Sequence, residues 1–132
     1  MPRTFPMIRQ MAFIFGAVFL LIGVLGFVPG ATTDGMLLGI FHVNLAHNLV
    51  HLLSGAVALI AGLSGGSAPL WFFRVFGIIY GLVAILGFVA GNSPVLGMIA
   101  NNMADVWLHA LLSLASLILG FAPIGHPRHA HA

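Results

Sequence analysis

The sequence predicts an all-α fold, specifically an integral membrane four-helix bundle made of two parallel helix-pair repeats. Hydrophobic residues make up 61% of the chain and charged residues 5%, against roughly 25% charged residues in ordinary soluble domains. Water cannot solvate the surface of such a chain. The apolar runs are long and unbroken, whereas a transmembrane β-barrel alternates apolar and polar residues over segments of about ten residues. The 17 glycines suit closely packed membrane helices.

Four apolar segments, each close to the ~20 residues that cross a bilayer, supply the helices. The first follows Arg3 and Arg9, as a secretory signal would. It is too long for a signal, lacks a small-x-small cleavage site, and has a counterpart in the third segment. We expect one domain over residues 1–132, with a flexible cytoplasmic tail at 123–132. The spans are predicted at about Met7–Val28, Leu45–Leu63, Leu70–Ala90 and Ala104–Phe121.

An internal repeat relates the two halves of the chain. A polar cluster in the second span recurs 58 positions later in the fourth, and the end of the first span, Leu25–Gly30, recurs 61 positions later as Leu86–Gly91. Each repeat is a helix pair, so both copies take the same orientation about an axis along the membrane normal, and helix 2 lies opposite helix 4. The cluster positions that correspond are Asn44 with Asn102, His47 with Asp105, and His51 with His109.

The charges predict an orientation. The chain has no lysine, and its four arginines stand at the amino terminus, near the loop between helices 2 and 3, or in the carboxyl tail. The positive-inside rule therefore puts both termini in the cytoplasm and the polar cluster toward the outer face. The net charge of +2 reflects the scarcity of acidic residues rather than a patch of basic ones. Nucleic acid is therefore not an expected partner. The arginines are Arg3, Arg9, Arg74 and Arg128.

The connections before helices 2 and 4 are longer than hairpin turns and contain apolar residues. Thr33-Asp34 and Ser93-Pro94 resemble helix starts. We therefore predict short interfacial helices over Met36–Phe41 and Val95–Ile99, which would cover the outer end of the bundle.

Part of the polar cluster has a simple structural explanation. Asn44 and Asn102 suit N-cap positions, and Asp105, three residues after Asn102, completes the pattern of a capping box. His47 can equally be a hydrated residue at a helix start. Small and polar residues continue along both helices at helical spacing, so these faces should turn toward each other or toward the bundle interior.

Capping does not explain His51 and His109, which lie about two turns into their helices. One interpretation is a pair of structural histidines that are hydrogen-bonded across the bundle. A second is a metal site formed by His47, His51, Asp105 and His109, a ligand set that suits Zn, Fe, Mn or Cu(II). A third makes His51 and His109 axial ligands of a haem or chlorophyll-type ring, although little room for a ring is evident.

No catalytic constellation accompanies this cluster. The sequence has no cysteine, no nucleophile elbow, no phosphate-binding loop and no charged pathway through the midplane. It therefore favours a metal- or small-ligand-binding membrane protein, such as an accessory subunit, with a structural or interaction protein as the rival. The expected partners are the lipid bilayer and either other membrane subunits or further copies of the chain.

Four segments also carry a family resemblance, which covers about residues 10–122. They resemble a family of small bacterial four-helix membrane proteins, the domain of unknown function 4383 family, and the His-Asn-x-x-His and Asp-x-Trp-x-His patterns are its most specific parts. The resemblance implies four helices in a bacterial inner membrane and brings no activity. The segments are Leu21–Gly30, Leu38–Asn44, His47–Leu53 and Asn102–His109.

Overall fold

The computed structural model describes residues 6–122, and the tail predicted at 123–132 lies outside them. The fold is all-α apart from short strands in one loop. Each of the four helices is long and apolar enough to cross a membrane, so the predicted membrane bundle is confirmed. The helices are α1 Met7–Leu25, α2 Leu45–Ser64, α3 Ala68–Ala90 and α4 Met103–Phe121.

Close packing occurs within each helix pair, and it depends on glycine. At Gly55 of α2, an added Cβ would lie 2.9 Å from the backbone oxygen of Gly16 in α1. At Gly77 of α3, it would lie 2.9 Å from the side chain of Leu117 in α4. Small residues let the backbones approach, which is how apolar helices gain contact area in lipid.

The small-residue faces of α2 and α4 therefore do not meet each other, as one reading of the sequence suggested. Gly55 and Gly62 of α2 pack against α1, and Ser113 and Gly120 of α4 pack against α3. Close backbone approach is therefore gained within each pair.

Aromatic rings join the two pairs below those polar residues. Phe15 of α1 meets Phe73 of α3 edge to face, with ring centroids 5.0 Å apart. Phe19 meets Phe76 in the same way at 5.4 Å. Edge-to-face contact suits the charge distribution of the rings, and Phe73 is completely buried. These rings form the middle of a core to which α2 and α4 contribute Ala58, Ala61 and Leu119.

The loop before α2 is a three-stranded antiparallel sheet, so the interfacial helix predicted over Met36–Phe41 is wrong. Its strands are β1 Thr32–Thr33, β2 Met36–Leu37 and β3 Phe41–His42. Asp34-Gly35 and Leu38-Gly39, between the strands, all have positive φ. Two consecutive residues of positive φ cannot continue a right-handed helix but do form the tight turn of a β-hairpin.

The loop before α4 repeats the second of these turns. Leu96 and Gly97, equivalent to Leu38 and Gly39, have φ of 53° and 71°, and an antiparallel bridge joins Val95 to Ile99. The interfacial helix predicted over Val95–Ile99 is therefore also wrong, for the same backbone reason.

Candidate functional site

Helices α2 and α4 begin at asparagine caps, as the sequence predicts. The Asn44 side-chain oxygen accepts a hydrogen bond from the His47 backbone N–H at 2.9 Å. The Asn102 oxygen accepts one from the Asp105 backbone N–H, also at 2.9 Å. Asp105 returns a bond, because its carboxylate accepts the Asn102 backbone N–H at 3.0 Å and completes a capping box. The caps set the rotation at which each helix enters the bundle.

The same two asparagines link the repeats. The side-chain amide of Asn44 donates to the backbone oxygen of Met98 at 2.9 Å. The amide of Asn102 donates to the backbone oxygen of Ile40, also at 2.9 Å. Ile40 and Met98 are themselves equivalent positions, 58 residues apart. Each cap is therefore anchored to the loop of the other repeat.

His47 and Asp105 also occupy equivalent positions and reach the opposite loop, with opposite hydrogen-bonding roles. His47 Nδ1 lies 2.8 Å from the backbone oxygen of Ala100, and a carbonyl only accepts, so Nδ1 carries the proton. Asp105 accepts the backbone N–H of His42 at 3.1 Å. Ala100 and His42 are again equivalent. The carboxylate of Asp105 therefore serves two backbone amides, and the Asp105 side chain lies outside the histidine group.

The structure brings together three of the four residues predicted as metal ligands: His47, His51 and His109. One ring nitrogen from each lies within 4.8 Å of the others. The Nε2 atoms of His47 and His51 are 3.1 Å apart, because residues four apart share one face of a helix. His109 reaches this point from α4, its ring centroid 5.6 Å from that of His47. All three are 5% exposed or less.

Two nitrogens of this cluster have no hydrogen-bond partner within residues 6–122. They are Nδ1 of His51 and Nδ1 of His109, and both are buried. A buried polar atom left unpaired costs about 1–3 kcal/mol. Native structures rarely leave buried polar atoms unpaired; outside the cluster, Asn48 Oδ1 and Ser116 Oγ are unpaired as well among the described residues.

Aromatic residues enclose the cluster. Phe19 of α1 contacts the His51 ring at a centroid distance of 5.6 Å, and Tyr80 of α3 contacts the His109 ring at 5.4 Å. The Tyr80 hydroxyl lies 2.8 Å from the Ser54 hydroxyl. The cluster therefore sits among rings on two sides, with one further pair of hydroxyl groups nearby.

A cleft of about 640 Å³ starts at the cluster and runs between α2 and α3. All three histidines line the end of the cleft near the start of α2, which we call its upper end. Ser64 and Ala68 line the opposite, lower end. Only the polar end is enclosed, because further along the cleft residues such as Leu53 and Ile60 are more than 60% exposed. The cleft thus connects a buried polar cluster to the apolar face of the bundle.

Several polar residues in this region were not assigned a role by the sequence. From the sequence, Tyr80 was interpreted as an interfacial or packing aromatic. A buried hydroxyl in an apolar helix requires a hydrogen-bond partner, which for Tyr80 is Ser54. Asn48 and Asn101 are buried, and their amides donate to the backbone oxygens of Gly26 and Gly87, which are equivalent positions. The signal for these roles was their polarity within apolar segments.

A protein-family model described as a domain of unknown function (DUF4383) matches residues 9–122. The matched region includes the whole histidine cluster and most of the chain. No curated protein and no solved structure matches the sequence.

Proposed function

The chain belongs to the DUF4383 family, and from that premise we propose that it is a multi-pass membrane protein that binds one transition-metal ion through His47, His51 and His109. One observation carries the proposal. Three buried imidazoles present ring nitrogens within 4.8 Å of one another inside an apolar bundle. In lipid, several polar residues gathered at one point are costly and mark functional sites.

The hydrogen bonding of His47 supports metal binding. Because Nδ1 donates to the Ala100 carbonyl, the lone pair of this ring is on Nε2. Metal-binding histidines commonly hold their second nitrogen in this way, which fixes the tautomer and the ring orientation. The lone pair of His47 therefore faces the nitrogen of His51.

The distances also suit one shared ion. Two nitrogens bound tetrahedrally at 2.0–2.1 Å lie about 3.3 Å apart, and the Nε2 atoms of His47 and His51 are 3.1 Å apart. His109 completes the set after a side-chain movement of roughly 1 Å, since two ligands of one ion cannot be more than about 4.2 Å apart.

The donor set favours particular metals. Imidazole suits Zn, Cu, Fe and Ni, whereas carboxylate oxygen suits Mn. Within residues 6–122, the cluster of close ligand atoms comprises the three histidines and not Asp105, whose Oδ2 accepts the backbone N–H groups of Asn102 and His42, so the site has three nitrogen ligands. Zn and Cu are therefore the preferred ions, and Asp105 acts by holding the loop over the site.

The rival is a structural cluster that locks the repeats together. It is favoured by the short distance between His47 and His51, since a single N–H between two rings also gives 3.1 Å. A haem or chlorophyll-type ring has less support. The His51 and His109 centroids are 6.3 Å apart, but His47, Phe19 and Tyr80 already surround them.

We place the protein in a bacterial inner membrane, with both termini in the cytoplasm. Arg9 and Arg74 support this orientation, because both lie at the end of the bundle opposite to the histidines, where they donate to the backbone oxygens of Gly62 and Gly120. The positive-inside rule makes that end cytoplasmic. The ion would then lie near the outer face, and the exposed apolar side chains would contact lipid or further subunits.

Metal analysis of the purified protein tests the proposal. The protein carries an affinity tag without histidine, and the tail residues His126, His129 and His131 are replaced by Ser in every sample. Mass spectrometry of the metal content compares wild type with His51→Gln, His109→Gln and a matched control, His42→Gln, which removes an imidazole outside the cluster.

We expect close to one Zn or Cu per wild-type and His42→Gln chain, and loss of that metal in the other two variants. Visible spectra of the same samples reveal a haem or pigment. Wild type that holds no more metal than His51→Gln, while that variant merely unfolds more easily, would establish the structural alternative.

A further inference from the structure

The cleft between α2 and α3 is polar at one end and apolar along the rest. Its upper end contains the three histidines of the cluster, with Tyr80 and Ser54 beside them. Below these, the lining consists of side chains such as Val57, Val75 and Ile79. A ligand that matches this lining has a polar head and a long apolar body.

The cleft is long enough to hold an extended chain. It extends along α2 from His47 to Ser64, a distance of about 26 Å at 1.5 Å per residue. A volume of about 640 Å³ over this length gives a mean cross-section of about 25 Å². That width accommodates one extended alkyl chain along the length of the cleft.

The depth of the polar end also selects against bulky headgroups. His51 lies two turns into α2, and the loop residues Ile99 and Ala100 border the cluster. A phospholipid headgroup stays at the membrane surface, whereas a small head can follow its chain to this depth.

Charge complementarity identifies the head, and this step rests on the metal site proposed above. Three imidazole ligands are neutral, so a divalent ion bound by them keeps its full charge in a low-dielectric setting, which is strongly unfavourable without an anion. The chain has two acidic residues. Asp34 is in the loop before α2, and the carboxylate of Asp105 binds the backbone amides of His42 and Asn102. Asp105, one turn before His109 on α4, supplies one negative charge, so a divalent ion keeps one uncompensated positive charge, which a monoanionic ligand would neutralise.

We infer that the cleft binds a long-chain monocarboxylate, a fatty acid, whose carboxylate coordinates the ion at His47, His51 and His109 and whose alkyl chain lies between α2 and α3. No bond of the ligand is broken in this event. The carboxylate supplies the fourth position of a tetrahedral site whose other three positions are nitrogens.

Binding of palmitate to the zinc-loaded protein, in nanodiscs of phosphatidylcholine, tests the inference. Val57→Trp fills the cleft about two turns from His51. Val18→Trp is its matched control, because Val18 is a similarly exposed valine on α1, 47% against 46%, and does not line the cleft. Cobalt(II) loading adds a direct readout, since its visible bands change when a carboxylate enters the coordination shell.

We expect one palmitate per zinc-loaded chain. Val57→Trp should weaken palmitate binding at least tenfold with zinc content unchanged, and Val18→Trp should leave both unchanged. Stripping the metal should weaken palmitate binding by a similar factor, and hexadecanol, which lacks the carboxylate, should fail to compete.

The possible failures are distinguishable. A protein that binds zinc but no palmitate, or binds palmitate equally well without zinc, overturns this inference alone. Equal competition by hexadecanol, or equal binding by both tryptophan variants, does the same. A protein that binds no metal overturns the proposed function, and this inference with it.

Discussion

Asn44 and Asn102 make the same pair of hydrogen bonds in opposite repeats. Each caps its own helix, and each donates its amide to the loop that precedes the other helix, at Met98 and Ile40 respectively, with both amide bonds 2.9 Å long. The two residues are thus related by a pseudo-twofold axis through the end of the bundle. The axis passes between α2 and α4, where the histidines converge.

Replacing either asparagine by alanine should destabilise the bundle. A lost N-cap costs about 1 kcal/mol, and the lost bond to the opposite loop adds about 0.5–1.5 kcal/mol. Unfolding by SDS in mixed micelles measures the change for Asn44→Ala and Asn102→Ala. Asn92→Ala, at an exposed loop position, serves as the control. If Asn44→Ala and Asn102→Ala lower the unfolding free energy no more than Asn92→Ala does, these bonds do not hold the two repeats together.

Two glycines should respond differently to alanine. At Gly55 the new Cβ would meet backbone atoms of Gly16 and Leu20 at 2.9 Å, and neither can move alone. At Gly81 it would meet only the Ser113 hydroxyl within 3 Å, which can move away by giving up its hydrogen bond to the Gly77 backbone oxygen. We therefore expect Gly55→Ala to lower the unfolding free energy by roughly 1–3 kcal/mol through overpacking.

Gly81→Ala should destabilise less than Gly55→Ala, because alanine gains about 1 kcal/mol of helix propensity, which offsets the loss of about 0.5–1.5 kcal/mol with the Ser113 hydrogen bond. The same SDS titration compares the two variants. If Gly55→Ala and Gly81→Ala destabilise the protein equally, close backbone approach between α1 and α2 is not the reason for glycine at position 55.

The orientation in the membrane can be measured directly, because the chain has no cysteine. Asn92→Cys and Ser67→Cys introduce one thiol each at exposed loop positions on opposite ends of the bundle. The arginine distribution predicts that a membrane-impermeant maleimide labels Asn92→Cys in intact cells and Ser67→Cys only after lysis. The reverse pattern would put the histidine cluster at the cytoplasmic face.

Local sequence was sufficient for the helices and their caps. The apolar runs marked four helices, and Asn44 and Asn102 marked two helix starts because a cap is a contact between near neighbours in the chain. The local sequence also contains signals for the turns before α2 and α4, which we nevertheless predicted as helices. Asp34-Gly35 between β1 and β2 is a strong hairpin signal, and the apolar residues around Leu38 and Leu96 hid the turns there.

The sequence by itself determined which residues are unusual for a membrane helix. It singled out His47, His51, Asp105 and His109, because ionisable side chains in apolar segments are costly wherever the helices pack. Tertiary structure decided which of them meet. Asp105 and His47 occupy equivalent positions, yet the Asp105 carboxylate accepts backbone N–H groups from His42 and Asn102. The His47 imidazole instead donates its Nδ1–H to the Ala100 carbonyl, and its Nε2 faces His51 in the cluster. The contacts that separate the two roles, Asp105 with His42 and His47 with Ala100, join residues more than 50 positions apart in the chain, and spacing within one helix carries no information about them.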